Sequence, residues 1–173
     1  MDEDGDYDVI GADYTNGHIN WYENNGSESF TKNTIDNSDM TNAWDIKVGD
    51  VDGDGDLDVV GMASTNNSTA DDKIVLYRNN GSEAFTEFVV DDDLNRPYKF
   101  RMTDIDNDGD LDMMVGSRDE DKVIWYENVD GGYILGLSLS GTPSGAETVT
   151  VSPASSAIFD VAGNAASTSQ SNN

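Results

Sequence analysis

Hydrophobic positions along the chain come in short stretches, many of period two, divided by turns rich in Asn, Asp and Gly. Trp44, Ile46 and Val48 alternate with Asp45 and Lys47, and Tyr98, Phe100 and Met102 alternate with Lys99 and Arg101, as half-buried strands do. Apolar strands are predicted at Tyr7–Ala12, Leu57–Ala63 and Leu111–Gly116, and further strands at His18–Asn24, Lys73–Asn79 and Lys122–Asn128. The Asn-Gly pairs after two of these are hairpin signals leading into strands at Phe30–Ile35 and Phe85–Val90. Four strands recur with a period of about fifty residues, the signature of a β-propeller blade. The fold class expected is all-β: a partial β-propeller of about three four-stranded blades, with a short β-rich tail.

The units cover residues 2–36, 43–91 and 97–130. The first shows only its last three strands, the second is complete, and the third shows three strands before the pattern stops. Propellers close with four or more blades, so three predict an open array that needs missing blades from elsewhere in a parent chain. From Gly131 to Asn173 Lys and Arg vanish and Ser, Thr, Ala and Gly dominate. In this tail Leu135–Leu139, Glu147–Val151 and Ala157–Val161 read as strands, and Ser167–Asn173 as linker.

Each unit carries an acidic loop. Asp50-Val51-Asp52-Gly53-Asp54-Gly55-Asp56-Leu57-Asp58 and Asp104-Ile105-Asp106-Asn107-Asp108-Gly109-Asp110-Leu111-Asp112 are complete copies. Asp2-Glu3-Asp4-Gly5-Asp6-Tyr7-Asp8 lacks the opening positions. Like charges about 5 Å apart repel by on the order of 1 kcal/mol per pair even in water. A hard divalent cation removes that cost, and the oxygen-rich set points to Ca2+. Loop positions 1, 3 and 5 turn inward, a Gly at 6 makes the sharp turn, 7 offers its carbonyl and 9 a further oxygen. The candidate ligands are therefore Asp50, Asp52, Asp54, Asp56 and Asp58; Asp104, Asp106, Asp108, Asp110 and Asp112; and Asp2, Asp4, Asp6 and Asp8. An EF-hand would require Glu at position 12 and flanking helices. Position 12 is Gly61 or Val115, and the flanks are strands.

The formal net charge is −26, from 35 acidic against 9 basic residues. This argues against binding nucleic acid or anionic membrane, and no apolar run is long enough for membrane insertion. Leu, Ile, Val and Phe make up roughly a fifth of the chain, a composition bordering on disorder. Ion binding counters that by neutralising the loops and adding folding free energy. With no Cys, disulfides and thiolate sites are excluded. Weak calcium sites suit an extracellular or cell-surface setting. Because the chain begins inside an acidic loop, an export signal is expected upstream in a longer protein.

The Asp-x-Asp-x-Asp-Gly-x-x-Asp loops, each followed by an apolar strand, and the stretch Trp21-Tyr22-Glu23-Asn24-Asn25-Gly26-Ser27 with Phe30-Thr31 resemble the FG-GAP or VCBS repeat family, to which the integrin α-subunit propeller belongs. The resemblance covers about residues 2–130, and the wording is similar to that of secreted bacterial proteins. It implies a calcium-bound propeller acting in adhesion or attached to an enzyme. Leu139–Gly145 and Ile158–Asn164 resemble part of a bacterial immunoglobulin-like repeat.

Catalytic readings find little support. His18 is the single histidine and aligns with Lys73 and Lys122, and no nucleophile elbow, HExxH helix or phosphate-cradling Gly loop occurs. A carboxylate pair for glycoside hydrolysis competes with the ion reading for the same residues. No enzyme activity is expected. Trp21-Tyr22, Leu76-Tyr77 and Trp125-Tyr126 recur in every unit, which predicts packing between sheets rather than a sugar platform, and Trp44 and Tyr98 are likewise expected in the core. The function expected is a calcium-binding module of an exported bacterial protein, acting in adhesion or in protein or glycan binding, with recognition on connections such as Asn66–Asp72 and Asp91–Arg96. The alternative is a non-catalytic accessory module of a secreted polysaccharide-degrading enzyme.

Overall fold

The computed structural model describes residues 1–37, 40–65, 72–118 and 122–129, and the backbone of 133–140. The readings at 66–71, at 119–121 and from 141 onward, including the immunoglobulin-like stretch, lie outside the described residues. The described residues form one compact unit, Met1–Ser140. They hold strands and no helix. β1 (Val9–Asp13), β2 (His18–Asn24) and β3 (Phe30–Asp36) form the first sheet. β4 (Ala43–Gly49), β5 (Asp58–Ala63), β6 (Lys73–Asn79) and β7 (Phe85–Asp91) form the second. β8 (Pro97–Thr103), β9 (Asp112–Ser117), β10 (Lys122–Val129) and β11 (Tyr133–Ser140) form the third. Every pairing is antiparallel and joins consecutive strands, and no sheet closes on itself. This is the architecture of a partial β-propeller, with β4 lying next to both β1 and β8.

The fourth strand of the third sheet comes from the tail. Leu135 to Leu139 sit inside β11, which pairs along β10 from Lys122↔Ser140 to Val129↔Tyr133.

The middle sheet explains why β5 and β6 read as nearly continuous apolar runs. Strands buried on both faces lose the polar half of the alternation. Val59, Ala63, Val75 and Tyr77 pack with Ile19, Met40 and Ala43 toward the first sheet. Val60, Met62, Ile74 and Leu76 pack with Phe100, Met113, Val115, Ile124 and Tyr126 toward the third. Trp21, Tyr77 and Tyr126 are 1–2% exposed, so this recurring aromatic pattern is core.

Polar bonds tie the layers in register. The Tyr77 hydroxyl donates to Asp36 Oδ2 (2.9 Å) at the end of β3, and the Tyr126 hydroxyl donates to Asp91 Oδ2 (2.6 Å) at the end of β7. The same strand position thus grips the outer strand of the preceding sheet twice. Burial raises the Tyr126 pKa far above its ordinary value, and the Asp91 carboxylate pushes it the same way.

The expectation that Trp44 and Tyr98 belong to the core is corrected. They are 43% and 51% exposed. The register slips between Ala43 and Asp45, and again between Pro97 and Lys99, so both aromatics fall on β-bulges. A bulged residue leaves the ladder, and its side chain is re-aimed away from the face that alternation assigns it.

Candidate metal centre

The acidic loops join the first and second strands of the second and third sheets, and the shortened copy precedes β1. One carboxylate oxygen each from Asp50, Asp52 and Asp54 lies within 4.8 Å of the others, and Asp104, Asp106 and Asp108 repeat this. Calcium takes oxygens at about 2.3–2.6 Å, so two ligands of one ion lie no more than about 5 Å apart. The donor set, three carboxylates from alternate positions of a tight loop, fits a hard divalent cation.

Backbone amides shape each loop. Asp50 Oδ1 and Oδ2 accept from the N–H groups of Gly53 (2.8 Å) and Gly55 (3.1 Å). Asp104 accepts in the same way from Asn107 (2.6 Å) and Gly109 (3.2 Å). Asp54 Oδ1 accepts from Asp56 N (2.9 Å), and Asp108 Oδ1 from Asp110 N (3.0 Å). The glycine at position 6 has φ of +95°, +98° and +105° in the three copies, a region closed to L side chains. Position 4 is left-handed as well: Glu3, Gly53 and Asn107 have φ of +61°, +74° and +64°. That second requirement was missed, since only position 6 carries Gly in every copy.

The aspartate at position 9 closes the loop. Asp58 is fully buried and accepts from Val51 N (2.9 Å) and Asn79 N (2.8 Å). Asp112 accepts from Ile105 N and Asn128 N, both at 2.9 Å. Asp8 accepts from the Met1 ammonium and Asn24 N, both at 2.9 Å. Each partner asparagine returns a bond: the Nδ2 groups of Asn24 and Asn79 reach the carbonyls of Tyr7 (3.2 Å) and Leu57 (3.4 Å). Asn128 Nδ2 donates to the Val51 carbonyl (2.5 Å) in the loop of the preceding sheet. Asn24, Asn79 and Asn128 are therefore part of the site, although in the sequence they read only as ends of strands. The signal was their recurrence at one position in all three units.

The seventh position reaches the next turn. A Cβ on Gly26 would meet Asp6 Oδ2 at 2.4 Å, and one on Gly81 would meet Asp56 Oδ2 at 2.5 Å. Asp6 and Asp56 thus lie over the Asn-Asn-Gly turns, and Asp56, Asp58, Asp110 and Asp112 stand outside the two carboxylate triads.

The electrostatics record the crowding. Lost hydration raises the Asp56 pKa, and repulsion from Asp54, Glu3, Asp50 and Asp52 raises it further. Lost hydration leads for Asp106 too, followed by Asp108. Glu127 is raised by burial and then by Asp106, Asp112 and Asp108, so β10 adds a carboxylate to the field of the third loop. The second loop is different. At the matching position of β6 stands Arg78, whose Nε donates to Asp52 Oδ2 (2.7 Å) and whose guanidinium forms an ion pair with the same carboxylate. Arg78 thus already offsets part of the negative charge on one candidate ligand of this loop.

Residues 1–61 match the family model described as FG-GAP-like repeat. No curated protein and no solved structure matches the chain.

Proposed function

From the match of residues 1–61 to the FG-GAP-like repeat we propose that the chain is a calcium-stabilised binding module of an exported bacterial protein. Asp50, Asp52 and Asp54 would hold one ion, and Asp104, Asp106 and Asp108 another. The backbone carbonyls of Asp56 and Asp110 would complete the oxygen set, while Asp58 and Asp112 keep the loops closed. The ion supplies positive charge where carboxylates crowd, and so holds the first-to-second strand connection of each blade. The observation that carries this reading is the repetition of one triad, with one pattern of amide bonds, in two loops 54 residues apart by the numbering of Asp50 and Asp104.

The module's role is recognition, of a protein or a glycan, rather than catalysis. Among the described residues the clustered carboxylates belong to the loops, and His18 stands at the start of β2. Blades contributed by the parent chain would complete the propeller, and the outer environment would supply the calcium.

Thermal unfolding of the chelator-treated chain tests this. An ion at about 100 times its dissociation constant stabilises by about 2.7 kcal/mol per site. Millimolar calcium should raise the midpoint by several degrees, and magnesium, which gives up its water reluctantly, by much less. Equal shifts with both ions, or none with calcium, would reject the assignment.

A further inference from the structure

Three of the six exposed aromatics among the described residues gather at the end of the sheets away from the acidic loops. Tyr14 directly follows β1, Trp44 lies near the start of β4 and Tyr98 near the start of β8, so the three come from three different sheets. Their rings touch in series: Tyr14 meets Trp44 edge-on at 6.1 Å between centroids, and Trp44 meets Tyr98 at 6.2 Å. They are 41%, 43% and 51% exposed. Trp44 Nε1 donates to the Tyr98 carbonyl (3.1 Å), which fixes its ring across the junction of the second and third sheets. A row of large rings held open to solvent on two β-bulges is not how a core is built, and bulges commonly re-aim side chains beside binding sites.

Basic side chains stand beside this row, with the Asp45 carboxylate among them. Arg96 and Arg118 line a cleft with Trp44, Ser64, Pro97 and Tyr98. An adjoining cleft of about 360 Å³ is bounded by Tyr98, Lys99, Gly116, Ser117 and Arg118. Three of the nine Lys and Arg residues of a chain with net charge −26 therefore meet at one aromatic strip. Lys99 also reaches Asp45 Oδ2 at 3.5 Å, and the Arg118 side chain is exposed at the rim.

We propose that the Tyr14–Trp44–Tyr98 strip and the adjoining Arg96, Lys99 and Arg118 form a binding site for a carboxylate-bearing polysaccharide. The C–H faces of pyranose rings stack on aromatic rings, and guanidinium groups match carboxylates with a bidentate fork. Extended rows of rings suit a chain of sugars, and alternating charged sugars present their carboxylates to the basic rim. This rests on the binding-module reading above and supplies its ligand class and its surface. It moves recognition from the inter-strand loops alone to the inner strands.

The test is calorimetric titration of the calcium-loaded chain with a hyaluronan oligomer, a cello-oligomer of similar length and an oligoglutamate of similar charge. The hyaluronan oligomer should bind at least several-fold more tightly than either. Trp44→Ala should weaken it roughly three- to tenfold, while Trp44→Phe, which keeps a ring, retains most of the binding. Arg118→Glu should abolish the preference over the neutral oligomer, and Lys32→Glu, on β3, should change nothing. Equal binding of all three probes, tighter binding of oligoglutamate, or an unaltered Trp44→Ala variant would overturn the proposal. Calcium-dependent unfolding is measured on the same preparations. If that stabilisation is present and no oligosaccharide binds, this inference fails alone; if it is absent, the module reading fails and takes this inference with it.

Discussion

Arg78 grips the Asp52 carboxylate through Nε at 2.7 Å, whereas the same strand position facing the third loop is Glu127. One loop thus carries its own cation and the other an additional anion. The two sites should therefore differ in calcium affinity, the third loop binding first. Arg78→Gln should tighten the weaker site and Glu127→Gln should loosen the stronger one, each by roughly three- to tenfold, since a charge about 4 Å away is worth about 1 kcal/mol where water screens it. Calcium titration of both variants measures this. Two equal sites in the parent chain, or no change in either variant, would contradict it.

The Tyr126–Asp91 bond should matter more to stability than any surface ion pair. A buried hydroxyl bonded to a carboxylate contributes about 1–3 kcal/mol. Tyr126→Phe, and likewise Tyr77→Phe at Asp36, should lower the midpoint of chemical unfolding accordingly, with the calcium stoichiometry unchanged. A shift no larger than that of an exposed substitution such as Lys32→Ala would dismiss these bonds as inter-sheet ties.

Ion removal should reverse the usual preference for neutral pH. Asp56, Asp58, Asp106 and Glu127 are all held above the ordinary carboxylate range, and lost hydration is the largest cause for each. A carboxyl raised in the folded state binds its proton more tightly there. Its stabilising effect is full below the ordinary range and is lost as pH rises through the raised value. Asp8, Asp13 and Asp45 run the other way. Burial opposes ionisation of Asp8 and Asp45, but the Asn24 amide and Met1 ammonium outweigh it for Asp8, as Lys47 and Lys99 do for Asp45. Asp13 is lowered mainly by its bonds from Asn16. Their contributions are lost only as pH falls below the ordinary range. The chelated chain should accordingly unfold at a higher temperature at about pH 5 than at about pH 8. A chelated chain that is more stable at the higher pH would refute the sign.

Much of this architecture was legible in the sequence because turns and acidic loops are local. The Asn-Gly pairs, the spacing of Asp50 to Asp58 and the alternation in β4 and β8 each place an element within a few residues of where it lies. Long-range partners were not legible. The role of Asp58 depends on Asn79 N, 21 positions away, and that of Asn128 on the Val51 carbonyl, 77 positions away. Trp44 and Tyr98 were misread because strict alternation assumes an unbroken ladder, and a bulge at each residue breaks it. The strand at Leu135–Leu139 was visible as alternation, but nothing local named β10 as its partner.

The central claim is that Asp50, Asp52 and Asp54 and Asp104, Asp106 and Asp108 are ion ligands rather than solvated turns. Calcium titration calorimetry of the chelator-treated chain, set beside Asp50→Asn, Asp104→Asn and the double variant, tests it most directly. The account predicts two sites in the parent chain, one in each single variant and none in the double variant, with all four chains folded at high calcium or mildly acid pH. Retention of both sites in the double variant, or no heat of binding in the parent chain, would contradict it.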